Sequence, residues 1–370
     1  MTNSGKELNV LVLQGGGALG AYQAGAYEAL AEAGFMPDWV AGISIGAING
    51  AIIAGNKPED RVPRLLQFWE KVSSGLQGTI PAFEDYLRPF FNETSANLAA
   101  SFGVPGFFSP RFPSPYFQPK GSLEAISLYD TAPLAETLKD LVDFGYLNAH
   151  GPRLSVGAVD VEKGNFHYFD SRSENVTLDA RHIMASGALP PAFAPVKIGG
   201  RHYWDGGIVS NTPIDYVVEF EGSKEDMCIF QVDVFRATGS LPKTLGEVTE
   251  REKDIRFSSR TRFNSDHVEM MQKLTVAAGR LLSKLPDDLK NDADAEVLRE
   301  WACQSNITIA HVIRRDTGVD SGSKDYEFSR LSVEEHWETG RKNVRKGLKS
   351  KAWAERGRKV SGVQVIDLTK

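Results

Sequence analysis

The sequence predicts an α/β fold, a mostly parallel sheet with helices on its faces, followed by a largely helical C-terminal extension. Three observations predict it. The apolar run Val10–Leu13, an Ala-rich helical segment and a second apolar run, Trp39–Ala41, form a strand–helix–strand unit near the start of the chain, and such a unit implies parallel strands. Further strand-like runs, Arg153–Val161, Met227–Phe235 and Ile307–Ile313, recur between helical stretches. Beyond Arg236 the composition becomes more charged and the pattern mostly helical.

The elements follow in order. Gly20–Ala33 reads as a helix with a small face, able to lie close to the sheet, and Gly34 stops it. Ile45–Ala54 is apolar nearly all round, as a buried central helix would be, and Arg61–Lys71 is a more amphipathic surface helix. Residues 80–119 mix aromatics with prolines and read as neither helix nor strand. They form either an irregular insertion packed by its own rings or a lid or mouth for a greasy substrate. Tyr129–Leu141 is a helix candidate with Thr131 as N-cap and Pro133 in its first turn. Asn165–Asp170 reads as the hairpin partner of the strand at Arg153–Val161, and Ala180–Ser186 as a short helix. Val196–Ile198 and Arg201–Trp204 flank Gly199-Gly200, a hairpin signature that leads into Asp205-Gly206-Gly207. Asn211–Phe220 should be helical, and Met227–Phe235 a central strand. Val248–Leu285 should form one or two long helices, and Ser332–Lys349 a helix with a Ser332–Glu335 capping box.

Composition sets bounds. The 370 residues are 41% hydrophobic and 24% charged, as expected of a folded globular chain. A net charge of −6 gives no signal for nucleic acid. Two cysteines, Cys228 and Cys303, cannot build a disulfide framework and suit a reducing compartment; no metal-type spacing and no cofactor is implied. Met1–Leu8 does not read as the start of a secretory signal and no window is apolar enough to span a bilayer, so no leader is expected and a cytoplasmic location is, with peripheral membrane contact open. The run Arg341–Lys359 carries nine basic residues against one acid. It is either a solvated helix face or a contact for anionic headgroups.

The chemistry concentrates at two ends of the first strand–helix–strand unit. Gly15-Gly16-Gly17 between a strand and a helix presents unpaired N–H groups to an anion. Gly42-Ile43-Ser44-Ile45-Gly46 follows the next strand and has the pattern of a nucleophile elbow, where small flanking residues, Gly42 and Gly46, permit the strained turn. A serine hydroxyl needs a base and a stabilised oxyanion to act. Asp205, at a strand end before Gly206 and Gly207, is the better candidate base; none of the seven histidines has a clear triad position, though His202 lies three residues before Asp205. Two rivals stand beside a serine hydrolase. Gly15, Gly17 and Gly20 also satisfy a dinucleotide-binding pattern, with Asp38 as the ribose acid of an NAD(P)-dependent oxidoreductase. Alternatively the chain is a membrane-peripheral lipid-binding protein with a weak or inactive site.

The ordered set Gln14–Gly20, Gly42–Gly46, Ala185–Phe193 and Asp205–Gly207 resembles the patatin-like phospholipases, over about Asn9 to Val218. The resemblance implies a three-layer α/β/α sandwich at residues 9–235 with the insertion at 80–119, a tail at 1–8 and a C-terminal extension at 236–370 like that of a bacterial subgroup. It implies a lipid acyl hydrolase with Ser44 as nucleophile, Asp205 as general base and the amides of Gly15, Gly16 and Gly17 as oxyanion hole, without a catalytic histidine. Its partner would be a lipid ester, and a homodimer is the favoured assembly. Many members carry Arg or Lys where this chain has Leu19, so electrostatic help for an anionic headgroup is missing from that position.

Overall fold

A computed structural model describes residues 7–75, 88–174, 176–221, 226–301, 306–315, 322–357 and 363–370. Cys303 and the first part of the aromatic insertion, residues 80–87, lie outside the described residues.

In chain order, β1 (Leu8–Leu13) is followed by α1 (Gly20–Glu32), β2 (Trp39–Gly42), α2 (Ile45–Ala54) and α3 (Pro58–Val72). Then come α4 (Arg88–Phe102), the short strands β3 (Ser109–Pro110) and β4 (Tyr129–Asp130), α5 (Ala132–Leu141) and α6 (Phe144–Ala149). The middle of the chain forms β5 (Arg153–Asp160), β6 (Phe166–Asp170), α7 (Ala180–Ser186), β7 (Val196–Ile198), β8 (Arg201–Asp205), α8 (Ile214–Glu221) and β9 (Met227–Asp233). The remainder is α9 (Leu245–Leu282), α10 (Ala293–Trp301), β10 (Ile307–Ile313), α11 (Arg330–Leu348), α12 (Lys351–Ala354) and β11 (Val363–Asp367).

The main sheet runs β11-β10-β9-β1-β2-β5-β8-β7, with β6 also on β5. From β11 to β5 every pairing is parallel; β5–β6, β5–β8 and β7–β8 are antiparallel. Alternation along the strands builds two cores. Leu11, Leu13, Cys228, Phe230 and Val232 face the larger one, and Val10, Val12, Met227 and Ile229 face the one closed by Ile214 and Val217 of α8. The residues beyond 236 are thus woven into the sheet, since β10 and β11 extend it at one edge.

Several expectations change on contact with the fold. The small face of α1 meets α11: a Cβ on Gly25 would fall 1.9 Å from the Trp337 carbonyl oxygen, and one on Gly340 would fall 2.1 Å from that of Tyr22. These glycines allow the two helices to cross backbone to backbone. The insertion at 80–119 holds a 15-residue helix, α4, that its aromatic texture concealed. Arg88 ties this helix to α11, donating to both carboxylate oxygens of Glu335 (2.8 and 2.7 Å) and to Ser332 Oγ (2.9 Å). Those two α11 side chains are therefore not a capping box; Ser329 caps α11 instead, accepting from the Ser332 N–H. Tyr129 belongs to a strand, and α5 begins only at Ala132, with Pro133 in its first turn. In the basic run, Arg345 pairs with Glu32 of α1 at 2.7 Å and Arg341 lies 3.6 Å from Glu28. That part of the run is a helix–helix seam. No helix among the described residues is long and apolar enough to cross a membrane.

Candidate active site

Ser44 occupies the sharp turn between β2 and α2. Its φ of 54° is the sole positive value outside glycine among the described residues, and a non-glycine held there stores backbone strain that the surroundings must overcome. The turn fits only with glycines beside it. A Cβ on Gly42 would lie 2.3 Å from the Gly46 carbonyl oxygen, and a Cβ on Gly46 would lie 2.3 Å from that of Leu13. Ser44 N–H donates to Ser186 Oγ (3.0 Å), and Ser186 Oγ donates to the Gly157 carbonyl (2.7 Å), so α7 and β5 hold the elbow. Ser44 also stands at the N-terminus of α2, where the helix dipole favours negative charge.

Sheet topology brings Asp205 to this turn. Ser155 and Val156 of β5 pair with β2 and β6, while Ala158 and Val159 pair with β6 and β8. The strand β8 therefore takes over the edge of β5 that β2 leaves when it turns at Gly42. Asp205, opposite Ala158, ends that strand. Gly206 follows without a side chain because a Cβ would sit 2.6 Å from the Gly157 carbonyl oxygen. The Asp205 carboxylate accepts from the Gly207 N–H at 2.7 Å and from the Ser44 side chain. It is 2% exposed, and burial raises its pKa from 3.8 to about 7 against the lowering effect of those two bonds.

The glycine loop completes the third side. Gly15 does not offer its amide as expected: the N–H donates to the Asn211 backbone oxygen at 3.2 Å. Asn211 returns a bond from Nδ2 to the Gly15 carbonyl at 3.0 Å and so ties the loop to the turn after Asp205. The N–H groups of Gly16 and Gly17 have no partner among the described residues, and both residues line the cavity. Of the three amides expected to cradle an anion, two are left unpaired among the described residues. Gly17 adopts φ 56°, and a Cβ there would lie 1.9 Å from the Asp325 carbonyl oxygen, which accepts from the Ala18 N–H at 2.8 Å. Leu19 is fully buried and absent from the cavity lining, so its identity acts through packing.

These groups open into a cavity of about 370 Å³. Its far wall is aromatic: Phe107, Phe108, Tyr129, Phe193 and Phe328 form one edge-to-face and tilted cluster with centroids 4.8–6.2 Å apart. Phe108 and Phe328 also wall a second cavity of about 400 Å³ lined by Val72, Leu98, Ala99 and Val104.

The structure brings Ser44, Asp205, Gly15, Gly16, Gly17 and Gly207, all named from the sequence, together around one cavity. The sequence did not single out Ser186, Asn211 or the segment Ser323–Phe328. Ser186 lay inside a segment noted for its resemblance, and Asn211 at the start of a predicted helix that begins only at Ile214. The segment at 323–328 is pinned against α9 by Lys324, 2.9 Å from Glu250 and 2.8 Å from Asp254, and by Lys253, 2.6 Å from Asp325. His202 binds Glu162 at 2.8 Å, and His182 belongs to the cap of α7; neither lines the cavity. Asp38, the acid a dinucleotide site would need, accepts from the Asn9 N–H at the opposite end of β1 from the glycine loop.

A serine at a strained strand–helix turn, a buried carboxylate on its hydroxyl and two unpaired amides thus meet at one cavity of an α/β fold. The family model described as patatin-like phospholipase matches residues 11–218, more than half of the chain, and a second, described as patatin phospholipase, matches residues 255–360. The chain belongs to the patatin-like phospholipase family. A 91-residue stretch is 34% identical to the patatin-like phospholipase domain-containing protein 7 of Rattus norvegicus, covering 25% of this chain and 7% of that protein. A 107-residue stretch is 32% identical to the neuropathy target esterase sws of Drosophila melanogaster, covering 28% of this chain and 8% of that protein. The matches thus span less than a tenth of these relatives' length. Among solved structures, VipD from Legionella pneumophila is similar at 15% identity and a TM-score of 0.35, over 91% of this chain and 67% of that one.

Proposed function

We propose that the protein is a serine acyl hydrolase that cleaves lipid acyl esters through a Ser44–Asp205 dyad. The observation that carries this reading is the Ser44 hydroxyl on the buried Asp205 carboxylate, beside the unpaired amides of Gly16 and Gly17. Family membership supports a lipid hydrolase, and the apolar wall of the cavity suits an acyl chain.

In the proposed reaction, Asp205 accepts the Ser44 proton as Oγ attacks the ester carbonyl. The carbonyl oxygen becomes an oxyanion, held by the N–H groups of Gly16 and Gly17. Each such donor typically contributes on the order of 10²–10³ in rate. Collapse breaks the ester C–O bond, and Asp205 returns the proton to the leaving alcohol. Water then attacks the acyl-Ser44 ester, giving its proton to Asp205. The second collapse releases the fatty acid and restores the Ser44 hydroxyl with that proton. Burial helps twice: it raises the basicity of Asp205 and removes water that would weaken the amide–oxyanion bonds.

The test is hydrolysis of p-nitrophenyl and phospholipid esters by the purified chain and by Ser44→Ala. Activity lost with Ser44 is expected; equal activity in both proteins would sink the proposal.

A further inference from the structure

Between β3 and β4 the chain displays the most exposed rings among the described residues. Phe112 is 97% exposed, Tyr116 89% and Phe117 82%, and Leu123, Ile126 and Leu128 are each more than 40% exposed. A soluble surface rarely leaves so many large apolar side chains in one short stretch without a partner. The stretch is nonetheless built. Arg111 N–H donates to the Leu128 carbonyl (3.1 Å) and Arg111 Nε to Ser127 Oγ (2.8 Å), which close its two ends together. Short helical turns at Pro115–Phe117 and Leu123–Ile126, rich in proline around them, fix its path.

Its root is the wall of the Ser44 cavity. Leu128 N–H donates to the Pro191 carbonyl and Tyr129 N–H to that of Ala192, at 3.1 and 2.9 Å. Tyr129, Leu189, Ala192 and Phe193 all line the cavity. The aromatic projection is thus continuous with the wall of the cavity that holds Ser44.

We propose that residues 111–128 dock the protein on a lipid bilayer, with Phe112, Tyr116 and Phe117 seated at the interface, so that a membrane ester passes from the bilayer to Ser44. The docking rests on the hydrolase reading for its purpose but not for its chemistry. Phe and Tyr rings beside prolines suit the boundary between headgroups and acyl chains. Charge plays a small part, because the segment carries Arg111 and Lys120 against Glu124. The basic run of α11 is less suited to the task, since Arg341 and Arg345 already pair with α1.

The test uses the full chain and its Phe112→Ser/Tyr116→Ser/Phe117→Ser variant. Binding to phosphatidylcholine vesicles is measured by co-sedimentation at low and high salt, and hydrolysis of p-nitrophenyl butyrate is measured alongside. Wild type should bind at both salt concentrations. The triple variant should lose on the order of tenfold or more in vesicle affinity while its kcat/KM on the soluble ester stays within about twofold. Phe112→Trp should keep vesicle binding. Equal vesicle affinity in the wild type and the triple variant, or no wild-type binding at all, would overturn the docking. So would a dimer that the triple variant dissociates while vesicle affinity stays unchanged, because the patch would then cover a second copy. Vesicle binding that depends on the rings, with no ester hydrolysed by any form, would leave the docking standing and remove the hydrolase reading instead.

Discussion

Asp205→Asn separates the two consequences of burying a carboxylate. The substitution keeps the size and the acceptor for the Gly207 N–H but removes the charge and the base. Turnover should fall by about 10⁴-fold or more, since a dyad acts as a unit and the remaining amides supply only residual catalysis. Stability should move the other way. The folded-state pKa of Asp205 is about 7 against an ordinary 3.8, so between those values the folded protein holds a proton that the unfolded chain releases. The stability this group contributes is fully present below about 3.8 and is lost as pH rises through about 7. That span, at about 1.36 kcal/mol for each tenfold step, comes to about 4 kcal/mol. The variant lacks this titration. Urea unfolding of both proteins at several pH values is the assay, and the difference between them is the readout, because other groups titrate equally in both. Asp205→Asn should gain on wild type by up to about 4 kcal/mol between acid and neutral pH. A stability difference that is flat with pH would refute the burial argument, and a variant that retains turnover would refute the dyad.

Three further outcomes follow from the same geometry. The pH dependence of kcat/KM should rise through about pH 7, because Asp205 must be unprotonated to accept the Ser44 proton; a plateau extending down to pH 5 would contradict this. Ser186→Ala removes the acceptor for the Ser44 N–H and should lower kcat about tenfold with KM little changed, since only the elbow loses its support; steady-state kinetics checks it. Phe108→Ala should join the cavities of about 370 and 400 Å³, shifting preference toward longer acyl chains while costing about 3–5 kcal/mol of stability. A series of p-nitrophenyl esters of increasing length measures the first and urea unfolding the second.

The local part of the site was legible because its requirements are local. An elbow at Gly42–Gly46 needs glycines beside Ser44, and a two-glycine hairpin before Asp205 sets where β8 ends. Periodicity also located β1, β2, β5 and β9, and the helix α2. What escaped the sequence depends on contacts between distant segments. The Gly15 amide is taken by Asn211, and nothing within the glycine loop signals that. The helix α4 is held to α11 by Arg88 and Glu335, far apart in the chain, and its aromatic residues hide its pattern. Ser332 and Glu335 satisfy a capping pattern, yet tertiary pairing with Arg88 claims both. Asp325 reaches the glycine loop because the C-terminal strands join the sheet, which periodicity alone cannot place.

The central claim is that Ser44 is the nucleophile. A fluorophosphonate probe reacts at the Oγ of an activated serine, and peptide mapping of the labelled protein locates the adduct. The account predicts one labelled residue, Ser44, with labelling abolished in Ser44→Ala and strongly slowed in Asp205→Asn. Label on another residue, or undiminished label in Ser44→Ala, would contradict it.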